Sequence, residues 1–418
     1  MDNKFDLIVV GGGFAGTAAA LEAADKGLQV LLIDKYNCLG GAAANCLVLP
    51  FMNHWTKDPQ KGEYVPLTGS IFLEIVEQMR CLGGYHENKR TFDEEILKIV
   101  LNRMCTEKGV KLLFNTTVVG ADMDGQNIRS IRVWGKSRQL ELTADYYIDA
   151  TGDAELSTLA GCRCKVGREE DNLCQPMTLC FRVGGVDRKT FTVERPQINA
   201  RYKQLQAEGK IKNPREDILL FLTMHEDVIH FNTTRVVKLD PTDPFAVTQA
   251  EIEAREQVFE LMALLKEFKA FENAYLLSTA LQIGIRESRM VVGEYTLTVE
   301  DLKSLARFPD AIAVANYDID IHNPEGAGTS HYYFGDGEYY EIPYRCLLPK
   351  DCKNLLVAGR CISSTHEAQA SYRIMPFCAE LGQAAGAAVS VAVQDGTDLR
   401  SINMEKLQTI LRSEQFLI

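Results

Sequence analysis

The first forty residues alternate between unbroken apolar runs and short polar breaks. "FDLIVV" at 5–10 is apolar almost throughout, as in a strand covered on both faces. "GGGFAG" and "TAAALEAADKG" follow, the latter with the small apolar positions of a helix that ends at Gly27. A second run, "LQVLLID", stops at Asp34, and from about Leu47 to Gly109 the pattern becomes polar and helical. Three β-runs come next, "VKLLFNTTVVGADM", "IRSIRVWGKS" and "RQLELTADYYIDA", separated by turn signals at Asp124-Gly125 and around Gly135. The last leads into "DATGDAELS", Asp149 to Ser157, another glycine turn opening a helix. Farther on, "LCFRVGG" reads as a strand and "QAEIEAREQVFELMALLKEFKAF" as an amphipathic scaffold helix, with a polar stretch around them holding Pro196, Pro214, Pro241 and Pro244. "NLLVAGRCISSTHEAQASYRIMPFCAELGQAAGAAVSVAV" reads as a strand, a turn at Gly359 and an alanine-rich helix from about Met375.

At 418 residues two closely packed domains are expected. A net charge of −12 lacks the basic footprint that nucleic acid or an anionic membrane requires. The first strand begins by Phe5, so no cleavable signal is expected. The longest apolar stretch, near Ala384, is read as shorter than a membrane span. A soluble cytoplasmic protein is therefore expected, its 12 cysteines reduced. No CxxC occurs, and Cys162 and Cys164, two apart in an apparent strand, read as ordinary thiols, so no metal site is expected.

Gly11, Gly13 and Gly16 form GxGxxG between a strand and a helix. In that context the glycines permit a tight turn, close backbone approach to a pyrophosphate, and close helix packing. The helix N-terminus then meets the phosphates. Asp34 lies where a carboxylate would take a ribose and repel a 2′-phosphate, which disfavours NADP. A purely structural turn is the alternative.

The loop alone fits FAD or NAD, but a Gly40-Gly41 pair follows Asp34, and a β-meander stands where a crossover would be. This combination resembles the two-dinucleotide-binding-domain flavoproteins, which include glutathione reductase-like and fumarate reductase-like enzymes. "IDATGDAELSTLAG", "GIRESRMVVGEYTLTVEDL", "YYEIPYRCLLP" and the C-terminal segment bring the resemblance closest to the FAD-dependent oxidoreductases, relatives of the fumarate reductase flavoproteins. The resemblance implies an α/β fold: a Rossmann-like FAD-binding domain with a meander, discontinuous over 1–164 and 350–418, and an α+β substrate or cap domain over 165–349. It also implies non-covalent FAD held by Gly11, Gly13, Gly16, Asp34, Lys35, Gly40, Gly41, Val118, Thr151, Gly152, Asp153, Gly359, Arg360 and the helix starting at Met375.

No second strand–GxGxxG–helix follows, so a separate NAD(P)H domain is not expected, and a second small molecule or protein would exchange electrons with the flavin. Cys46 stands without the partner cysteine of the disulfide reductases and reads as a small buried residue, with a redox role at the flavin's face as the alternative. Three residues are candidates for the chemistry. Arg286, in "GIRESRM" with Glu287 and Arg289, could clamp a carboxylate or move a proton, or form a buried Arg–Glu pair tying the domains together. His322, in "DIDIHNPEG", ends an apparent strand, and Arg373 precedes the flavin-facing helix. Hydride transfer between the flavin and a carbon of a small polar substrate is the expected activity. The motif "HPT" of closer fumarate reductases is absent. A non-catalytic protein with structural FAD is the alternative.

Overall fold

The computed structural model describes residues 4–86 and 90–418. The N-terminal pattern folds as read. β1 (Lys4–Val10), α1 (Phe14–Asp25) and β2 (Val30–Ile33) form a βαβ unit, and Asp34 lies just past β2. The excursion after it holds α2 (Gly41–Asn45), α3 (Ser70–Cys81) and α4 (Glu94–Glu107) and returns through β3 (Lys111–Leu113). The meander is β4 (Thr117–Asp124), β5 (Asn127–Gly135) and β6 (Arg138–Asp149), and α5 (Glu155–Leu159) follows the turn.

β6 is long enough to serve two purposes. Arg138 to Leu142 pair antiparallel with β5, while Thr143 to Asp149 pair parallel with β1. The parallel order is β3-β2-β1-β6, and a late strand, Leu355–Val357, adds to the far side of β6. Chain ends of the parallel strands therefore meet along one edge, where ligands of open α/β sheets bind.

The second unit contains β7 (Phe181–Gly184), α6 (Arg188–Ala207), β8 (Leu220–Leu222), β9 (Ile229–Phe231), α7 (Pro244–Leu265) and β10 (Tyr275–Thr279). Its sheet is antiparallel in the order β8-β9-β7-β10. The polar stretch around Pro196 differs from its sequence reading: it is α6, 20 residues long with the proline inside it. Asp187 caps this helix through the Lys189 and Thr190 N–H groups, and Phe191, Ile198, Tyr202 and Leu205 bury one face.

Two hydrophobic cores are separate. The second draws its residues from Met177 to Ile285 together with Leu47, whereas Ile312, Val314, Tyr340 and Ile342 belong to the first. Those four lie on β11 (Ala311–Ala315) and β13 (Tyr340–Pro343), which flank the short β12 (Ile321–His322). By packing, the second unit is thus narrower than the expected 165–349. The late strand is β14 (Leu355–Val357), followed by α8 (His366–Tyr372) and α9 (Met375–Asp395).

α9 is 21 residues long and apolar enough to span a membrane, longer than its sequence suggested, yet 94% of its most apolar window is buried inside the protein. It lies on α1 at unusually short range. A methyl on Gly382 would stand 1.9 Å from the Ala15 carbonyl oxygen, and one on Gly386 2.4 Å from that of Ala19. Cys162 precedes a short strand that begins only at Cys164, so the two thiols do not share a strand face.

Candidate active site

Glycine turns from distant parts of the chain meet at the ends of β1, β6 and β14. Gly11 has a φ of +103°, and a methyl there would stand 2.5 Å from the Ala150 carbonyl oxygen. The β1–α1 and β6–α5 turns touch because position 11 has no side chain. Gly41 closes on the same loop, its added Cβ 2.7 Å from Gly13 Cα, while above Gly13 the nearest atom to an added Cβ is 3.8 Å away. Arg360 donates from Nε to the Gly152 carbonyl at 3.0 Å and from Nη2 to Asp153 Oδ1 at 2.6 Å. Gly359 lies against Ala15 and Cys378, so the C-terminal turn reaches the start of α1.

The first turns of α1 and α9 have neither an acidic residue nor a side-chain cap. Both leave N–H groups and positive dipole ends for an anion. Asp34 accepts from the Gly12 and Tyr36 N–H groups, one on each oxygen, which leaves lone pairs on both. Burial raises its carboxyl in spite of those bonds. Lys35 pairs with Glu155 at 2.7 Å, and the Thr116 N–H donates to the Asp34 carbonyl, which brings the start of β4 and Val118 beside it.

Residues 282–289 lead from this cradle to a charged cluster between the two cores. At one end Gln282 Nε2 donates to Cys46 Sγ at 3.5 Å. At the other, Ser288 Oγ donates to Asp153 Oδ1 at 2.5 Å and Arg289 Nη1 to the Asp153 carbonyl at 3.4 Å. Between them Arg286, partly buried, donates to the Pro176 carbonyl at 2.8 Å and to Thr178 Oγ1 at 2.6 Å. Arg373, one residue beyond α8, donates from Nη2 to the Asp320 carbonyl at 3.2 Å and to Asp320 Oδ2 at 3.5 Å.

His322 faces the same carboxylate, with Nε2 3.4 Å from Asp320 Oδ2. Its Nδ1 lies 3.0 Å from Arg235 Nη2. A guanidinium only donates, so Nδ1 is the acceptor and the ring proton sits on Nε2. Burial, with the charge of Arg286, pushes His322 down to about 3 and keeps the ring neutral. Burial works to raise the Asp320 carboxyl, but the His322 bond and the charges of Arg373 and Arg286 overcome it and hold the group well below the usual carboxylate range. Arg286 is itself pushed down to about 9, by burial first and then by Arg373, Arg215 and Arg235. Ligand atoms of Asp318, Asp320 and His331 lie within 4.8 Å of one another, with Asp318 already paired to His331 and Asp320 to Arg373.

The profile of one family, described as FAD dependent oxidoreductase, matches residues 6–411. The chain belongs to that family. A digeranylgeranylglycerophospholipid reductase of Methanosarcina mazei is 27% identical over 162 residues, 36% of this chain and 39% of that protein. The Protein FixC of Bradyrhizobium diazoefficiens is 29% identical over 178 residues, 40% of this chain and 41% of that protein. The chain thus spans about two fifths of the length of these curated relatives. A geranylgeranyl bacteriochlorophyll reductase-like protein from Thermoplasma acidophilum superposes with a TM-score of 0.47 at 11% identity, covering 99% of this chain and 85% of that one.

FAD is the cofactor of this oxidoreductase family, and the cradle fits it. The open space above Gly13 and the two uncapped helix starts suit a pyrophosphate and an electron-rich ring, and Asp34 retains acceptors for ribose hydroxyls. Gly11, Gly13, Gly40, Gly41, Thr151, Gly152, Gly359 and Met375 lie on the turns and helix starts of this cradle. Gly16 instead serves packing, since its Cβ would stand 1.7 Å from the Gly11 carbonyl oxygen.

Arg286, His322 and Arg373, distant in sequence, meet in one cluster. Arg286 does not pair with Glu287, whose buried carboxylate accepts from the Gln175 N–H at 2.9 Å and from His366 Nδ1 at 2.8 Å. Arg289 turns to the cradle. Burial pushes the Cys46 thiol up to about 11, so it stays protonated. The sequence reading missed Asp320, Arg235, Arg215 and Gln175. The alternation of Asp318, Asp320 and His322 in "DIDIH" was a usable signal for one of them, because alternate residues of an extended segment share a face. The arginines come from unremarkable polar stretches and had no such signal.

Proposed function

We propose that this oxidoreductase moves a hydride between FAD and a carbon of a small polar substrate held between the two cores, in a C–OH or C–H dehydrogenation or the reduction of an activated C=C bond. The observation that carries the reading is the charged cluster of Arg286, Arg373, Asp320 and His322, joined to the cradle through residues 282–289. Bound FAD supplies a two-electron acceptor or donor.

The protein's part is to orient and to balance charge. Arg286 and Arg373 hold a substrate oxygen and stabilise negative charge that develops on it. Asp320 fixes the Arg373 guanidinium, and neutral His322 fixes Asp320, so His322 is a positioning residue. The Methanosarcina mazei relative is named as a reductase, which supports the reductive direction. A second electron carrier returns the cofactor to its starting state.

The test is an anaerobic titration in one cuvette. The purified protein is expected to show flavin absorption, to release FAD on acid denaturation, and after photoreduction to be reoxidised by small unsaturated or keto acids. Reoxidation by oxygen alone, with the whole panel inert, would favour a structural FAD.

A further inference from the structure

The cluster holds more positive charge than its own carboxylates balance. Arg373 has Asp320, and Arg235 has Glu216 at 3.1 Å along with the Gly326 and Gly328 carbonyls. Arg286 has only neutral partners: Pro176, Thr178 and Asn232. Arg215 is 5% exposed, and its Nε and Nη1 have no hydrogen-bond acceptor. The nearest carboxylate, Asp217, is half in solvent and 3.6 Å away. A buried guanidinium with donors unmet is costly unless something else completes it.

Arg215 also bears on the rest of the cluster. Its charge is among those that push Arg286 down, after burial and Arg373, and it acts on Arg235 in the same sense. Arg286 lies on the segment that leaves the cradle and Arg215 between α6 and β8 of the second unit, close enough for the charge of one to act on the other.

We propose that the substrate carries two acidic groups, one held by Arg286 and Arg373 beside the reacting carbon and the other by Arg215, which makes Arg215 the residue that selects a dianion over a monoanion. This rests on the electron-transfer reading above and names its substrate class. A second carboxylate, or a phosphate in its place, would meet the Arg215 donors with the fork geometry that a guanidinium offers.

The test uses the FAD-loaded full chain. Binding of malonate, succinate, glutarate, adipate and phosphoglycolate is followed by the change in the visible flavin spectrum and in thermal midpoint, against acetate, propionate, butyrate and valerate. The best dianion is expected to bind at least about tenfold more tightly than the best monoanion. In Arg215→Gln that preference is expected to vanish through loss of dianion affinity, with monoanion affinity kept within about twofold, and Arg215→Lys is expected to restore part of it. Equal affinity for both classes in the unaltered protein, no binding of either, or a preference that survives Arg215→Gln would each overturn the proposal. The unaltered protein alone decides the matter if the variants fail to fold. Should dianions bind with the expected preference while none exchanges electrons with the flavin, the assignment of Arg215 stands and the electron-transfer reading falls. Turnover of a monoanion with a KM indifferent to Arg215→Gln would give the reverse result.

Discussion

His322 keeps a neutral imidazole among four arginines because Arg235 occupies its Nδ1 and leaves the proton on Nε2 to serve Asp320. Replacing it with leucine removes that donor. Asp320 then loses a bond that lowers its carboxyl, so its value rises. Activity is expected to fall first at the acid end of the turnover profile, and kcat to fall, while FAD content is unchanged. A profile identical to that of the unaltered enzyme would show that His322 does not act through Asp320. His322 itself contributes no limb near neutrality, since it protonates only at about 3. The sequence made Arg286, His322 and Arg373 visible because each sits at a break between an apolar run and a turn. Arg215 and Arg235 owe their importance to the packing of the second unit against the first, which no local pattern records.

The contact of α9 with α1 is the element that makes the cradle rigid. Gly382 and Gly386, four residues apart, let the two backbones approach so closely that even a methyl group collides with a main-chain carbonyl. Gly382→Ala is expected to cost about 1–3 kcal/mol in urea unfolding and, by shifting the first turn of α1, to lower the ratio of flavin to protein absorbance. Gly396→Ala is the control: Gly396 ends the same helix with a φ of +63° and no atom within 4 Å of an added Cβ. It is expected to lose stability by about 1 kcal/mol with no loss of FAD. The sequence showed α9 as alanine-rich and helical. Which of its small residues face α1 depends on the partner helix, hundreds of positions earlier. The 20 residues of α6 were hidden by Pro196, whose usual effect on a helix is here outweighed by a capped start and a buried face.

Across the whole molecule, buried neutral imidazoles lower stability in acid, while the Glu380 carboxyl, which burial holds well above its ordinary value, works the other way. Burial pushes His54 down to about 4 and His230 and His322 down to about 3, against 6.5 for a free imidazole. The unfolded chain therefore binds more protons than the folded one from about pH 6.5 downward, and stability falls as pH falls, by about 1.4 kcal/mol per pH unit for each group. The urea midpoint is expected to drop between pH 7 and pH 5, and His230→Leu, far from the cradle, to flatten that slope. The second core spans less of the chain than the 165–349 expected for a second unit. β11 is an apolar run that could serve either core, and only its seat on α9 assigns it to the first.

The cradle is assembled from turns at Gly11, Gly41, Gly152 and Gly359 and is closed by the first turn of α9. This gives the cofactor a place in time as well as in space. During synthesis the Gly11 loop leaves the ribosome long before the Gly359 turn and must wait, unfilled, until that turn and the start of α9 have emerged. Capture of FAD then waits on those later residues, and a chain halted before residue 359 is expected to stay colourless however well its first strands have folded.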